Sequence, residues 1–271
     1  MPESAAQSIA GTSKIELFDV PKIVRECAQH GDLALSLVQN LKDTVAIFNQ
    51  EACAYVHFEC TGREAVQTAM AIEAQQFLRD MEESIAIVIE ALLSLGELHA
   101  CTMVLERANF QCIGVSSLGL KCAQWAAPLA RSLHSLRERS RSALCVQWGN
   151  APGAHLYTAE QRHQVLTLVA KDLGLAGGND EVNLTSLEDW LALASEVGIL
   201  AGLLGRMGAE IACMGQQEVA EITISGAHFS ATCNLAIANA DSASQRVASL
   251  LEFGGRPQPE QHWKVRLAPW F

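Results

Sequence analysis

Charge and aromatic side chains are scarce in this 271-residue sequence: charged residues make up 18% and Phe, Trp and Tyr together 6%. Scarce charge combined with 49% apolar residues excludes a disordered chain, which needs the opposite balance. The charge that is present leans acidic, with 30 Asp and Glu against 19 Lys and Arg and a formal net charge of −11. Such a chain repels phosphate backbones, so no nucleic-acid partner is expected. A chain of this length can bury a large core in one or two domains. With so few charges, further apolar surface is left to cover, and copies of the same chain are the first expectation for what covers it.

A secretory leader is not legible, because Met1–Lys14 offers neither a basic start nor an apolar h-region. No run reaches the roughly 18 uncharged apolar residues of a membrane span; the best, Ile85–Leu95, contains Glu90. The nine cysteines are odd in number and none stands in Cys-x-x-Cys spacing. A reduced, cytoplasmic protein with no membrane attachment is therefore expected. Familiar catalytic motifs are missing as well. Gly-x-Ser-x-Gly does not occur, and Gly114–Lys121 resembles a phosphate-binding loop but has one residue too many before the lysine. That cradle depends on its spacing, so the segment reads as a helix entry. His99 and Cys101 have no complementary pair, so neither a metal nor a cofactor is expected.

What the sequence does contain is helical periodicity. Apolar spacing predicts helices over Val20–Gln29, from near Asp32, over Arg63–Leu95 with Gly96 as the stop, and over Ser117–Ser142 with Pro128 inside. Ala159–Leu173 reads as a helix ending at Gly174, and Asn234–Phe253 as another. The most informative helix begins at Thr185 or Ser186 and runs to about Gln217, roughly 45 Å at 1.5 Å per residue. Its few polar residues include Asp189, Glu196 and Glu210 on one narrow stripe, and Gly198, Gly202, Gly205 and Gly208 allow close approach. A helix apolar nearly all round must be surrounded. An intersubunit bundle explains that more easily than one chain does.

Three segments then become specific in their order. Tyr55–Thr61 opens a long helix, the later long helix ends in Met214-Gly215-Gln216-Gln217-Glu218-Val219-Ala220-Glu221, and a loop and Asn234 follow. This order resembles the fumarase/aspartase superfamily, most closely the 3-carboxy-cis,cis-muconate cycloisomerases, over about Pro2–Trp263. The resemblance implies an all-α fold, a long-helix bundle that forms an intersubunit helical core. It implies residues 1–50 as a remnant of an N-terminal helical domain, 51–253 as the central bundle and 254–271 as a short tail. It implies anti elimination, or its reverse, on a di- or tricarboxylate, with each site built from three subunits.

The motifs depart from the family pattern. Where the family reads His-Trp-Gly-Ala-Thr-Ser-Gln-Asp, this chain has His57-Phe58-Glu59-Cys60-Thr61-Gly62-Arg63-Glu64: His57 and Thr61 match, the carboxylate-binding serine is Gly62, and Arg63 offers a charge. Where it reads Arg-Thr-x-x-Gln-x-Ala-x-Pro, Arg107 and Gln111 match. The proton-handling histidine falls on Leu184, the serine base on Ala227 and the signature lysine on Thr232, while Asn234 holds the frame. A leucine has no proton to move. The residues left to carry chemistry are His57 and His228, with Thr61, Arg63, Arg107, Gln111 and Asn234 to bind a small carboxylate ligand. Three readings stay open. One is a divergent lyase or cycloisomerase with a remodelled site, performing a cyclisation, isomerisation or lyase step on a small conjugated acid. Another is a retired scaffold that partners an active paralogue. The third is a truncated product without its own function. A homotetramer, less readily a dimer, is expected.

Overall fold

The computed structural model describes residues 1–58, 60–108, 111–148, 158–177, 187–223, 234–243 and 245. The chain falls into two units, Met1–Gln75 with Leu144–Thr185 and Gln76–Ala143 with Ser186–Phe271.

The first unit opens with α1 (Glu3–Thr12), α2 (Val20–His30) and α3 (Leu33–Phe48). The last two start where aspartates cap them. The Asp19 carboxylate accepts from Lys22 N, and the Asp32 carboxylate accepts from Ala34 N and Leu35 N, satisfying donors that a helix start leaves open. α1 is a helix that the sequence reading, which starts at Val20, does not include. Its Ala5 joins Val45, Ala52 and Val56 in a small core. A 3-10 turn, Glu51–Tyr55, leads into α4 (Gly62–Leu98). α6 (Ala159–Leu173) begins at a capping box between Thr158 and Gln161 and stops at left-handed Gly174, as its spacing predicts.

The second unit holds the rest of α4, a hairpin, α5 (Leu118–Ala143) and α7 (Leu187–Met214). The hairpin, β1 (Met103–Ala108) and β2 (Gln111–Ser117), is antiparallel with a bulge between Glu106 and Arg107. The helical reading does not anticipate it, although the architecture around it is all-helical as expected. β2 runs directly into α5, where the Ser117 hydroxyl accepts from Leu120 N, so the phosphate-loop look-alike is the helix entry it was read as. Gly96 does not stop α4, which continues to Leu98. A Cβ on Gly119 would lie 2.6 Å from Gly96 O and 2.7 Å from Ala100 Cα. The start of α5 therefore touches the end of α4 backbone to backbone. Pro128 sits inside α5 without ending it.

The α5·α7 pair carries the core of this unit, where Leu118, Trp125, Leu129, Leu133, Leu200 and Met214 are buried together. The acidic stripe of α7 faces α5. Glu196 accepts from the Ser132 hydroxyl at 2.7 Å, and Glu210 accepts from the Trp125 indole N–H at 2.8 Å. These two carboxylates stand about four turns apart, which returns them to one face. Lys121 and Arg206 also reach Glu210, at 3.4 Å and 3.0 Å. Burial alone would raise the Glu210 carboxyl, but the Trp125, Arg206 and Lys121 donors hold it below its ordinary value. Gly205 meets Ala240 of the helical stretch 234–243, whereas Gly202 faces open space.

α7 has no uncharged run of span length, since Glu196, Arg206 and Glu210 interrupt it, but its overall composition is that of a long apolar helix. Glu188–Met214 is long and apolar enough to cross a membrane by length and composition, with mean hydropathy 1.5, and only 22% of that window is buried within the chain. Its carboxylates bonded to α5 mark it as a packing helix with apolar surface to spare.

Two outcomes follow from these contacts. Gly119→Ala places a methyl against backbone atoms that cannot rotate away, and should cost about 1–3 kcal/mol in denaturant unfolding. Because the Glu210 carboxyl is depressed in the folded chain, its contribution is present above its ordinary value of 4.5 and lost as pH falls through the lower folded value. Thermal melts should thus show wild type losing stability below about pH 4.5 more steeply than Glu210→Gln.

Candidate functional site

Chemistry-bearing residues gather in two places, one in each unit. In the first unit the 3-10 turn delivers buried Val56 and then His57, whose φ is 61°. A left-handed non-glycine residue costs on the order of 1–3 kcal/mol and concentrates at functional positions. The Tyr55 and Phe58 rings, on either side of it in sequence, lie against each other with centroids 6.2 Å apart. Burial lowers the His57 pKa from its ordinary 6.5, the Lys42 charge lowers it further, and Glu64 and Asp32 pull the other way. His57 is consequently neutral at pH 7 and able to accept a proton.

Thr61 is engaged locally. Its amide donates to Glu64 Oε2 at 2.6 Å, its hydroxyl donates to the same oxygen at 3.0 Å, and the Glu64 amide donates back to the hydroxyl at 3.2 Å. This reciprocal cap starts α4 and buries Glu64. Gly62, at the serine position of the resemblance, has no space for a side chain: a Cβ would lie 2.6 Å from Ala34 Cβ. Arg63 is half-buried in the same turn. Burial and the Glu64 carboxylate push the Cys60 thiol up to about 11. Cys60, Thr68, Ile72, Val146, Trp148 and Leu166 belong to the lining of a largely apolar cavity of about 440 Å³.

In the second unit Arg107 stands at the hairpin bulge, opposite Cys112. Bulges re-aim side chains, and here the guanidinium meets Glu221 bidentately. Nη1 donates to Oε2 at 2.7 Å, Nη2 donates to Oε1 at 3.0 Å, and Leu105 N adds a third donor to Oε1 at 2.7 Å. Arg107 holds the Glu221 carboxyl below its ordinary value against a burial effect that would raise it. Glu221 is the residue that sequence reasoning missed as a site member. It lies in the quoted run after the long helix, but nothing in the spacing couples it to Arg107, 114 residues earlier. Gln111 pairs with Ala108 at the hairpin tip and is exposed, as is Asn234 at the start of its helical stretch. His228 lies outside the described residues, as do Leu184, Ala227 and Thr232. Among the described residues no group of three or more His, Cys, Asp or Glu is placed to hold a metal ion.

One arrangement thus supplies a neutral, strained imidazole, and the other a cationic fork filled by the chain's own carboxylate. Comparison with known proteins supplies the family. The family described as "Lyase" matches residues 5–263. The 3-carboxy-cis,cis-muconate cycloisomerase of Pseudomonas aeruginosa is 29% identical over 222 residues, covering 82% of this chain and 48% of that protein. That of Acinetobacter baylyi is 26% identical over 279 residues, covering 97% of this chain and 60% of that protein. The chain spans about half the length of the curated relatives it matches. The crystal structure of the 3-carboxy-cis,cis-muconate lactonizing enzyme from Pseudomonas putida superimposes with a TM-score of 0.85 at 24% identity, over 98% of this chain and 62% of that one; at that identity the likeness establishes the fold. The chain therefore belongs to the lyase family, within the fumarase/aspartase superfamily and with a cycloisomerase-like sequence.

Proposed function

We propose that the protein is a divergent lyase or cycloisomerase acting on a small conjugated carboxylic acid, with His57 as its proton-accepting group. The observation that supports this reading best is the state of His57: left-handed, partly buried and held neutral. Its segment is one of the three that build the site in the resembled family. In the elimination direction the reaction starts by removing a proton next to a carboxylate, which leaves an aci-carboxylate; in the reverse, cyclising direction the nucleophile adds first and the protonated group returns that proton to the carbon. A neutral imidazole can take that proton where the aligned serine is Ala227. In an assembly whose sites draw on several subunits, Arg107 of another copy supplies the fixed positive charge for the carboxylate, because a planar guanidinium binds it bidentately. Gln111 and Asn234 add neutral hydrogen bonds, Arg63 a second cation and His228 a second imidazole. Thr61 contributes by fixing the turn that carries His57 rather than by reaching a ligand. The step is a cyclisation, an isomerisation or an elimination, and the protein works in the cytoplasm.

A second reading is a retired scaffold that partners an active paralogue. Two observations favour it: Arg107 is already filled by Glu221, and the Thr61 hydroxyl is used as a helix cap. A mixed assembly would draw its missing serine and lysine from the paralogue.

Assembly is part of both readings. Leu200 is buried inside its own chain, whereas Ile199 is 54% exposed and Gly202 faces open space. A further helix packed on that side of α7 would cover both, and a homotetramer supplies such helices.

Kinetics test the chemistry. No turnover within tenfold of a typical kcat of about 10 s⁻¹ is expected on fumarate, aspartate or 3-carboxy-cis,cis-muconate, because base and lysine are both replaced. On a panel of conjugated di- and tricarboxylates, the substrate that is turned over should lose at least about 10²-fold in kcat with His57→Asn. Asparagine tolerates the left-handed backbone, so the melting temperature should hold. The acid limb of the wild-type pH profile should fall below 6.5, since the imidazole stays unprotonated further into acid. An unchanged rate in His57→Asn removes His57 from the mechanism, and a panel with no substrate at all favours the scaffold.

Light scattering tests the assembly. The expected mass is that of four chains, and Ile199→Glu should reduce it. A monodisperse wild-type particle of 29.2 kDa contradicts the tetramer.

A further inference from the structure

The Arg107–Glu221 contact has the form of a ligand complex within one chain. Three donors, two from the guanidinium and one from Leu105 N, converge on both oxygens of one carboxylate. That is the donor set a free carboxylate would choose. The pair is not sealed from water: 30% of the Arg107 side chain and 11% of the Glu221 side chain are open. Solvent and small anions can therefore reach it.

Glu221 also reaches this place against resistance. Ala220, just before it, has a φ of 48°, a left-handed conformation that disfavours any residue with a Cβ. The strain turns the chain back on α7, so that the amides of Glu221 and Ile222 both donate to Met214 O, at 3.1 Å and 3.3 Å. The carboxylate is thereby carried at the carbonyl end of α7, where the helix dipole is negative and repels an anion. Arg107 holds it there against backbone strain and helix-end charge together. A carboxylate arriving from solution would meet the same three donors with neither handicap. Lys121 adds a second positive charge that acts on the position, while its own ion pair is with Glu210. An anion with more than one carboxylate can use both.

We propose that the Arg107 fork is a carboxylate-binding site that Glu221 keeps filled, and that a di- or tricarboxylate enters by displacing Glu221. The proposal rests on the reading of Arg107 as the carboxylate-binding cation and adds the residue that competes for it. Glu221 then sets a threshold of affinity. A monocarboxylate gains no more from the fork than Glu221 already does, whereas a polycarboxylate brings additional contacts.

The experiment is calorimetric titration of tricarballylate, a saturated tricarboxylate, into four full-length proteins: wild type, Glu221→Gln, Arg107→Ala and the double variant. Thermal melts of each run alongside. The expected result is at least about tenfold tighter binding to Glu221→Gln than to wild type, with that gain absent from the double variant. If Arg107→Ala loses binding while Glu221→Gln binds as wild type does, Arg107 is the carboxylate site but Glu221 does not compete, and the proposal fails alone. If binding is the same in all four, or absent from all four, the reading of Arg107 fails with it. If Glu221→Gln does not fold, Glu221→Asp replaces it. The shorter carboxylate cannot reach the fork as well, so a smaller gain of the same sign is expected, and no gain overturns the proposal.

Discussion

The pairing of α5 with α7 is the constraint on which the second unit depends. Its acidic residues point inward: Glu196 to the Ser132 hydroxyl, Glu210 to the Trp125 indole and Lys121. Those bonds fix the rotation of α7 about its axis, because either carboxylate turned away would leave a partly buried polar group without its partner. The rotation then decides which apolar residues enter the core, and Leu200 and Met214 do. The same pairing determines what meets at its ends. β2 feeds α5 without a break, and the chain leaving α7 turns back at Ala220. Arg107, on the hairpin that feeds α5, and Glu221, just past α7, meet because α5 and α7 are already clamped.

The two clusters differ in how far local sequence builds them. The His57 turn is local. Thr61 and Glu64 cap the helix that follows, Gly62 fits against Ala34, and the histidine is left in a strained conformation between them. Among the described residues, Lys42 and Asp32, from α3 and its cap, act on the imidazole from further away along the chain. The arginine fork, in contrast, is assembled from a hairpin and a helix end. Membership of the lyase family fixes the scaffold for both. It does not fix the chemistry, because the chain covers only 48% of the length of the Pseudomonas aeruginosa relative it matches.

That difference also explains what was legible beforehand. α2, α3, α5, α6 and α7 could be read to within a few residues because caps, periodic apolar faces and a stop at Gly174 all signal locally. α1 could not, since its start carries no side-chain cap hydrogen bond. The hairpin has apolar residues on alternate positions, but Ile113 and Val115 are exposed and a bulge breaks the register at Arg107. Alternation that buries only one side chain deeply is a weak signal. Gly96 looks like a helix stop in sequence, yet it is a contact point for Gly119, a reason that exists only once α5 is in place. Arg107 was legible as a candidate carboxylate-binding cation, but its partner Glu221 was not. Thr61 was legible as a candidate binding residue, while its capping role needed the backbone.

The cysteines give the two clusters different accessibility to electrophiles. A thiol held near 11, as Cys60 is, has roughly one molecule in ten thousand as thiolate at neutral pH. Maleimides and oxidants, which consume thiolates, will pass over the turn beside His57. Cys101, Cys112 and Cys213 are exposed instead. Cys112 faces Arg107 across the hairpin. A fluorophore attached at Cys112 would thus sit beside the arginine fork, while Cys60 beside the imidazole turn would go unlabelled.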